Sequence, residues 1–297
     1  MENPKKLLDP KILAKLSNLY LVARTVVEGF ISGLHRSLYK GFSVEFFEHR
    51  EYSPGDDLRY LDWKVFARTD RLYLKTFREE TNVKGYILLD TSASMGYRSE
   101  EISKLEYGIF LAASLSYLMI SQKDAVGLIT FDKDINSFVK PMSTTLHLHN
   151  LIENLKNLKP GRETSLSDVL NKIAPTIKRR SLIILISDLF DDPQSVMKGL
   201  SHFKYKHHEI IVFHILDPSE IIFPFSGQYE FVDMETGERI VADADYIRGT
   251  YRNLLNEFLN FYKVNCSQKN ISYALGRTDT PFDYFLYQYL SRRAKYK

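Results

Sequence analysis

One cysteine, Cys266, stands in 297 residues. No internal disulfide can form, and a reducing compartment is expected. The opening stretch MENPKKLLDP lacks the apolar core and cleavage site of a secretory leader. The longest apolar run, near residues 105–120, contains Glu106 and is too short to span a bilayer. These absences lead us to expect a soluble, cytoplasmic protein with no transmembrane segment. An excess of one charge is missing too: 40 Lys and Arg face 37 Asp and Glu, a formal net charge of +3. The basic residues are scattered, so no nucleic acid is expected as partner. No GxxxxGK[ST] loop occurs, which excludes P-loop binding of ATP. Internal repeats and low-complexity tracts are also absent.

What is present is enough apolar material for a large core: 44% of residues are hydrophobic and 13% aromatic. The chain has room for one large domain and a smaller attachment. From residue 83 onward, strand-like and helix-like stretches alternate. VKGYILLD (83–90) and SLIILISD (181–188) are nearly continuous apolar runs, as strands buried on both faces should be. AVGLITFD (125–132) and HEIIVFHILD (208–217) read as further strands, and NSFVKP (136–141) as an edge strand ending at Pro141. A helix over 103–121 opens with Ser103 and Glu106 in capping-box spacing. Helices are expected near 144–157, 165–179 and 244–265, and one begins at Asp192-Pro193. EFVDMETGERIVAD (230–243) alternates as a hairpin would, a strand near 271–275 follows, and Thr280-Pro281 opens a final helix. This order specifies an α/β fold, a doubly wound and mainly parallel sheet flanked by helices.

The first 82 residues read differently. Residues 1–35 form a helical segment, and 36–82 mix charges with aromatics around Pro54-Gly55 as a smaller β-rich or irregular appendage. Within it, Arg50, Asp56, Asp57, Arg59, Asp62 and Arg68 suggest a structural ion-pair network, with Trp63 filling its apolar side. His147 and His149 suggest an exposed loop rather than a metal site. The tail SRRAKYK reads as a solvated helix end.

In a parallel sheet, ligands gather at the carboxyl ends of strands. Asp90 and Asp188 end two of the buried strands, so both carboxylates should reach one rim. Ser92 and Ser94 follow Asp90 at alternating positions. Thr164 stands at a helix entrance, where Ser165 is expected to cap with Asp168 three residues on. Two carboxylates, three hydroxyls and no His or Cys favour a hard cation, Mg²⁺ or Mn²⁺, over Zn²⁺. A phosphatase-like, metal-dependent hydrolase using the same rim is the alternative. Its usual general acid two residues after the nucleophilic Asp is replaced here by Ser92.

The order Asp90-Thr91-Ser92-Ala93-Ser94, Thr164, Asp188 resembles the metal-ion-dependent adhesion site of von Willebrand factor A (vWA) domains. Leu189 departs from that pattern, since many A domains carry Gly after the second Asp. The stretch REYSPGDDLRYLDWKVFARTDRLYLKTFREE (50–80) resembles the signature of bacterial DUF58 proteins, a likeness extending over about residues 30–290. It implies a vWA-like domain over 83–297 and a signature segment over 36–82. It also implies a non-enzymatic, chaperone-like protein-binding module that acts with a MoxR-type AAA+ ATPase on client proteins. Many DUF58 members carry N-terminal transmembrane helices, and this chain resembles the short branch without them. A weakly bound Mg²⁺ or Mn²⁺ held by Asp90, Ser92, Ser94, Thr164 and Asp188 would grip an acidic side chain of the ATPase or client.

Overall fold

The computed structural model describes residues 19–24, 27, 48–53, 61–76, 84–161, 163, 165–281, 284–286 and 288–290. The chain divides into two compact units, His35–Asn82 and the combination of Met1–Leu34 with Val83–Lys297.

In the smaller unit, β1 (Glu48–Glu51) pairs antiparallel with β2 (Tyr73–Thr76), and α1 (Trp63–Thr69) lies between them in sequence. Asp62 is buried and its Oδ1 accepts from the Val65 amide at 3.3 Å, so it helps to start α1. Trp63 does not fill an apolar interior. It is 63% exposed and meets Phe66 edge to face at 6.1 Å, because it occupies the outer side of a two-turn helix. Asp56, Asp57, Arg59 and the side chain of Arg50 lie outside the described residues.

The larger unit is built on a sheet of β3 (Lys84–Asp90), β4 (Ala125–Phe131), β5 (Ile135–Met142), β6 (Leu182–Ser187), β7 (Glu209–Leu216) and β10 (Ser272–Arg277). The spatial order is β10-β7-β6-β3-β4-β5, parallel throughout except for β5, which runs antiparallel to β4 at the edge. The chain builds outward from β3 in one direction, then returns to its other side at β6. The crevice between β3 and β6 is therefore the topological switch point of the sheet.

Both faces of the central strands are covered, which explains their unbroken apolar runs. Ile87 and Leu89 of β3, with Ile184 and Ile186 of β6, face α2 (Lys104–Ser121) and α3 (Thr145–Lys156). Leu88, Ile183 and Leu185 face the opposite layer, formed by α4 (Leu166–Ile173), α5 (Pro193–Tyr205) and a long helix, Ala244–Gln268. Helical residues 19–24 add Leu19, Val22 and Ala23 to the first layer, where Tyr20 stands 5.9 Å from Tyr117, edge to face. By contrast β5 alternates in burial, as an edge strand covered on one face should.

Helix starts follow their local signals. Ser103 and Glu106 form the capping box of α2, and the Asp192 side chain accepts from Ser195 N at the start of α5. A short α6 (Pro218–Ile222) has a second capping box, Asp217 with Glu220. After the hairpin β8 (Gln228–Val232) and β9 (Arg239–Asp243), the long helix α7 (Ala244–Gln268) begins with Asp243 as its cap.

Three local expectations need correction. Helix α4 ends at Ile173 rather than near 179: Ala174 still has helical backbone, but Pro175 has no amide hydrogen to continue the ladder. Ser165 does not cap α4 through its side chain; its Oγ donates to Asp168 at 2.7 Å. The Ser167 amide instead donates to Asp191 Oδ2 at 3.0 Å, so the helix start is satisfied from another loop. His147 is no loop residue: it is buried in α3, with Nε2 2.7 Å from the Val126 carbonyl.

Candidate functional site

Strand β3 delivers Asp90 to the sheet's carboxyl rim, where the carboxylate is fully buried. Its Oδ1 accepts from Ser92 N at 2.9 Å, and its Oδ2 accepts from Ser187 Oγ at 2.6 Å across to β6. Thr91 is turned away from the rim: its amide and hydroxyl both donate to the Phe131 carbonyl, at 2.7 and 2.8 Å. That anchor leaves Ser92 and Ser94 on the other side of the loop, with hydroxyls 3.1 Å apart. The loop closes in a short 3₁₀ turn, Ser94–Gly96, pinned by buried Met95.

Asp188 follows β6 immediately, so the neighbouring strands β3 and β6 bring it beside Asp90. Leu189 keeps the loop's geometry despite its side chain, adopting φ 58° with the side chain fully buried. A left-handed backbone costs a non-glycine residue about 1–2 kcal/mol. We therefore expect Leu189→Gly to be less destabilising than Leu189→Ala by about 1 kcal/mol, inverting the usual order of the two residues. Urea unfolding of both variants checks this; the usual order would mean that the loop relaxes without strain.

Thr164 lies outside the described residues. Its surroundings are partly visible. The Gly161 amide donates to the Thr91 carbonyl at 2.6 Å, and Glu163 pairs with Lys133 at 2.9 Å, so the segment ending at Glu163 runs beside the same rim. Gly161 is a point of close approach: a Cβ there would displace the Asp132 carboxylate and sit 3.1 Å from the Thr91 carbonyl.

Sequence reasoning missed a cation. Lys104, the first residue of α2, is fully buried, with Nζ 2.7 Å from Asp188 Oδ2 and 2.7 Å from Glu220 Oε1. It also lies 4.9 Å from the Phe190 ring centre and 5.8 Å from that of Tyr97. Glu220 is fixed in turn by the Asp217 amide at 2.8 Å. Asp217 accepts from Ser99 N at 2.9 Å and from Ser219 N at 2.8 Å. A signal existed: an ammonium at the head of a helix apolar on nearly every side must find a carboxylate.

The electrostatics follow from burial. Desolvation, reinforced by the charge of Asp188, pushes the Asp90 carboxyl up to about 7, against hydrogen bonds from Ser187 and Ser92. Burial works against the Lys104 ammonium, but Asp188 and Glu220 outweigh it and hold its pKa above the ordinary value. His214 stands behind the rim with Nδ1 2.7 Å from Tyr273 Oη. Burial drives its pKa down to about 4, so it is neutral near pH 7 and adds no charge there.

The Lys104 ammonium thus meets the carboxylates of Asp188 and Glu220, while the buried Asp90 lies beside Asp188. The charge of Asp188 adds to the cost of ionising Asp90, and a hard divalent cation would relieve it. Among the described residues no three His, Cys, Asp or Glu side chains form a metal-holding group. A cation here would lean on hydroxyl oxygens, and Ser92 and Ser94 present two side by side. Lys104 occupies Asp188 Oδ2 but leaves Oδ1 with only a long 3.4 Å contact from Phe190 N. The donor set fits Mg²⁺ or Mn²⁺.

The family model described as "Protein of unknown function DUF58" matches residues 48–257, which takes in the smaller unit's described strands and the whole rim. The chain belongs to the DUF58 family. An uncharacterized Mycobacterium tuberculosis protein is similar to this DUF58 chain, 26% identical over 232 residues, or 77% of this chain and 73% of the relative. Among solved structures, the conserved hypothetical protein BatB of Bacteroides thetaiotaomicron matches with a TM-score of 0.50 at 19% identity. That match covers 72% of this chain and 99% of BatB. The SpRpn10 VWA domain matches at 15% identity with a TM-score of 0.38, over 71% of this chain and 95% of the domain. Strand order and family together make this a vWA-like DUF58 protein. Among the described residues no helix is long and apolar enough to cross a membrane.

Proposed function

We propose that this DUF58 protein is a non-enzymatic binding module whose rim takes Mg²⁺ or Mn²⁺ and, through it, an acidic side chain of a partner. The partner is a MoxR-type AAA+ ATPase or the client on which that ATPase acts during assembly or maturation. The observation that carries the reading is the pair of buried carboxylates, Asp90 and Asp188, at the switch point beside the hydroxyls of Ser92 and Ser94. Those four residues would hold the ion, and the sequence adds Thr164 to the set. A bound divalent ion supplies an electrophilic contact for a carboxylate from outside.

The non-enzymatic reading rests on how Asp90 is held. Both of its oxygens already accept hydrogen bonds, from Ser92 N and Ser187 Oγ, and the carboxylate is buried. A phosphatase-type nucleophile also needs a nearby proton donor for the leaving group, and Ser92 stands where that acid would be. Beside the rim, the β8–β9 hairpin offers a surface for the rest of a partner's contact. Its Met234 is 47% exposed and would lie 3.7 Å from a Cβ placed on Gly96 in the site loop.

One metal-bridged contact orients a partner, while the surrounding loops supply most of the affinity. Capture of a MoxR-type ATPase on the immobilised protein should weaken about thirtyfold or more with EDTA and recover with Mg²⁺, since removing a charged contact costs about 2 kcal/mol or more. The double variant Ser92→Ala/Ser94→Ala should bind weakly with or without chelator while keeping a wild-type circular dichroism spectrum. Capture indifferent to EDTA and to both substitutions would exclude the rim as the docking point.

A further inference from the structure

Lys104 has no part in the proposed donor set, yet it is the fully buried cation in contact with one of its carboxylates. Its Nζ spans 2.7 Å to Asp188 Oδ2 and 2.7 Å to Glu220 Oε1. Glu220 is not a free counter-charge. Its other oxygen accepts the Asp217 amide at 2.8 Å, and Asp217 caps α6. Its carbonyl accepts Tyr251 Oη at 2.8 Å from α7. The ammonium is therefore clamped from the α6 side and reaches the rim only through Asp188. We propose that Lys104 is the rim's resident counter-cation: it neutralises Asp188 when no divalent ion is bound and weakens the site's affinity for one. This rests on the proposed metal site and assigns the residue that tunes it.

Two consequences follow from Coulomb's law at close range. An incoming divalent ion shares Asp188 with a positive neighbour, so removing that neighbour should tighten binding. Removing the charge of Glu220 leaves Lys104 less compensated and more repulsive, so it should loosen binding. A lysine that only supports the fold predicts something else, loss of affinity in both variants, because either change would disturb the rim.

The test is Mn²⁺ binding by electron paramagnetic resonance, with Mg²⁺ competition, on the full chain. Lys104→Met should lower the Kd for Mn²⁺ by roughly tenfold or more, and Glu220→Gln should raise it by several fold. Lys104→Met leaves Glu220 buried without its cation and can fail to fold. The double variant Lys104→Met/Glu220→Gln removes one charge of each sign and keeps an acceptor for the Asp217 amide; it too should bind more tightly than wild type. Tight binding by the double variant where wild type binds undetectably would also support the assignment. Wild-type binding with equal or weaker binding in the foldable Lys104 variant would overturn it and leave the metal site standing. Absence of binding in every protein, with no effect of Asp90→Asn, would overturn both.

Discussion

Asp90→Asn should make the metal-free protein more stable above pH 7 and abolish its stabilisation by Mg²⁺. The asparagine keeps the shape of the site: its oxygen can accept from Ser92 N, and its amide can donate to Ser187 Oγ. What it removes is a buried charge whose pKa rises from 3.8 to about 7 on folding. The sign is opposite to that of a salt-bridged carboxylate. Above pH 7 the group is ionised in both states, and the folded state bears the full cost of burying it. As pH falls from 7 toward 4, the folded protein takes up the proton first and the cost disappears. Wild type should therefore gain stability from this group on acidification through that window, and Asp90→Asn should not. At about 1.4 kcal/mol per pKa unit, the gain from the substitution at pH 8 is of the order of a few kcal/mol. Adding Mg²⁺ should raise wild type alone and narrow the gap, because ligand at a hundred times its Kd stabilises the native state by about 2.7 kcal/mol. Chemical denaturation at pH 5 and pH 8, with EDTA or Mg²⁺, measures all four values. Wild type and variant responding equally to Mg²⁺ would place the ion elsewhere.

Gly108→Val should destabilise the protein by about 1–3 kcal/mol and disturb the rim. A Cβ at this position would lie 2.9 Å from Leu89 Cδ1, 3.3 Å from Ile186 Cγ2 and 3.6 Å from Met95 Cε. The glycine thus lets α2 pack against Leu89 of β3 and Ile186 of β6, next to Met95 of the loop that carries Ser92 and Ser94. Lys104 is four residues earlier, on the same face of the helix. The close approach at Gly108 is what lets the Lys104 ammonium reach Asp188. Overpacking of a filled core costs about 1–3 kcal/mol, and the better helix propensity of valine over glycine offsets only a few tenths of that. The urea midpoint should fall accordingly, and the response to Mg²⁺ should change with it. Gly249, which has nothing within 4 Å of an added Cβ, is the internal control, and Gly249→Ala should be neutral or slightly stabilising. Equal effects at the two positions would show that α2 shifts without cost.

By itself the sequence determined the features with a local or periodic cause. Apolar runs at 83–90 and 181–188 specify strands covered on both faces, Ser103 with Glu106 starts a helix, and Asp192-Pro193 starts another. Parallel strands separated by helices share one carboxyl rim, so Asp90 and Asp188 could be brought together from their positions at strand ends alone. Tertiary structure decided what those carboxylates face. Lys104 meets Asp188 across 84 residues and Glu220 across 116, and Ser187 meets Asp90 across 97. It also decided that Trp63 lies exposed on α1 and that His147 is buried against Val126. Spacing carries no information about such pairs, because any buried charge requires a partner and the packing of helices on the ordered strands selects which carboxylate comes within reach.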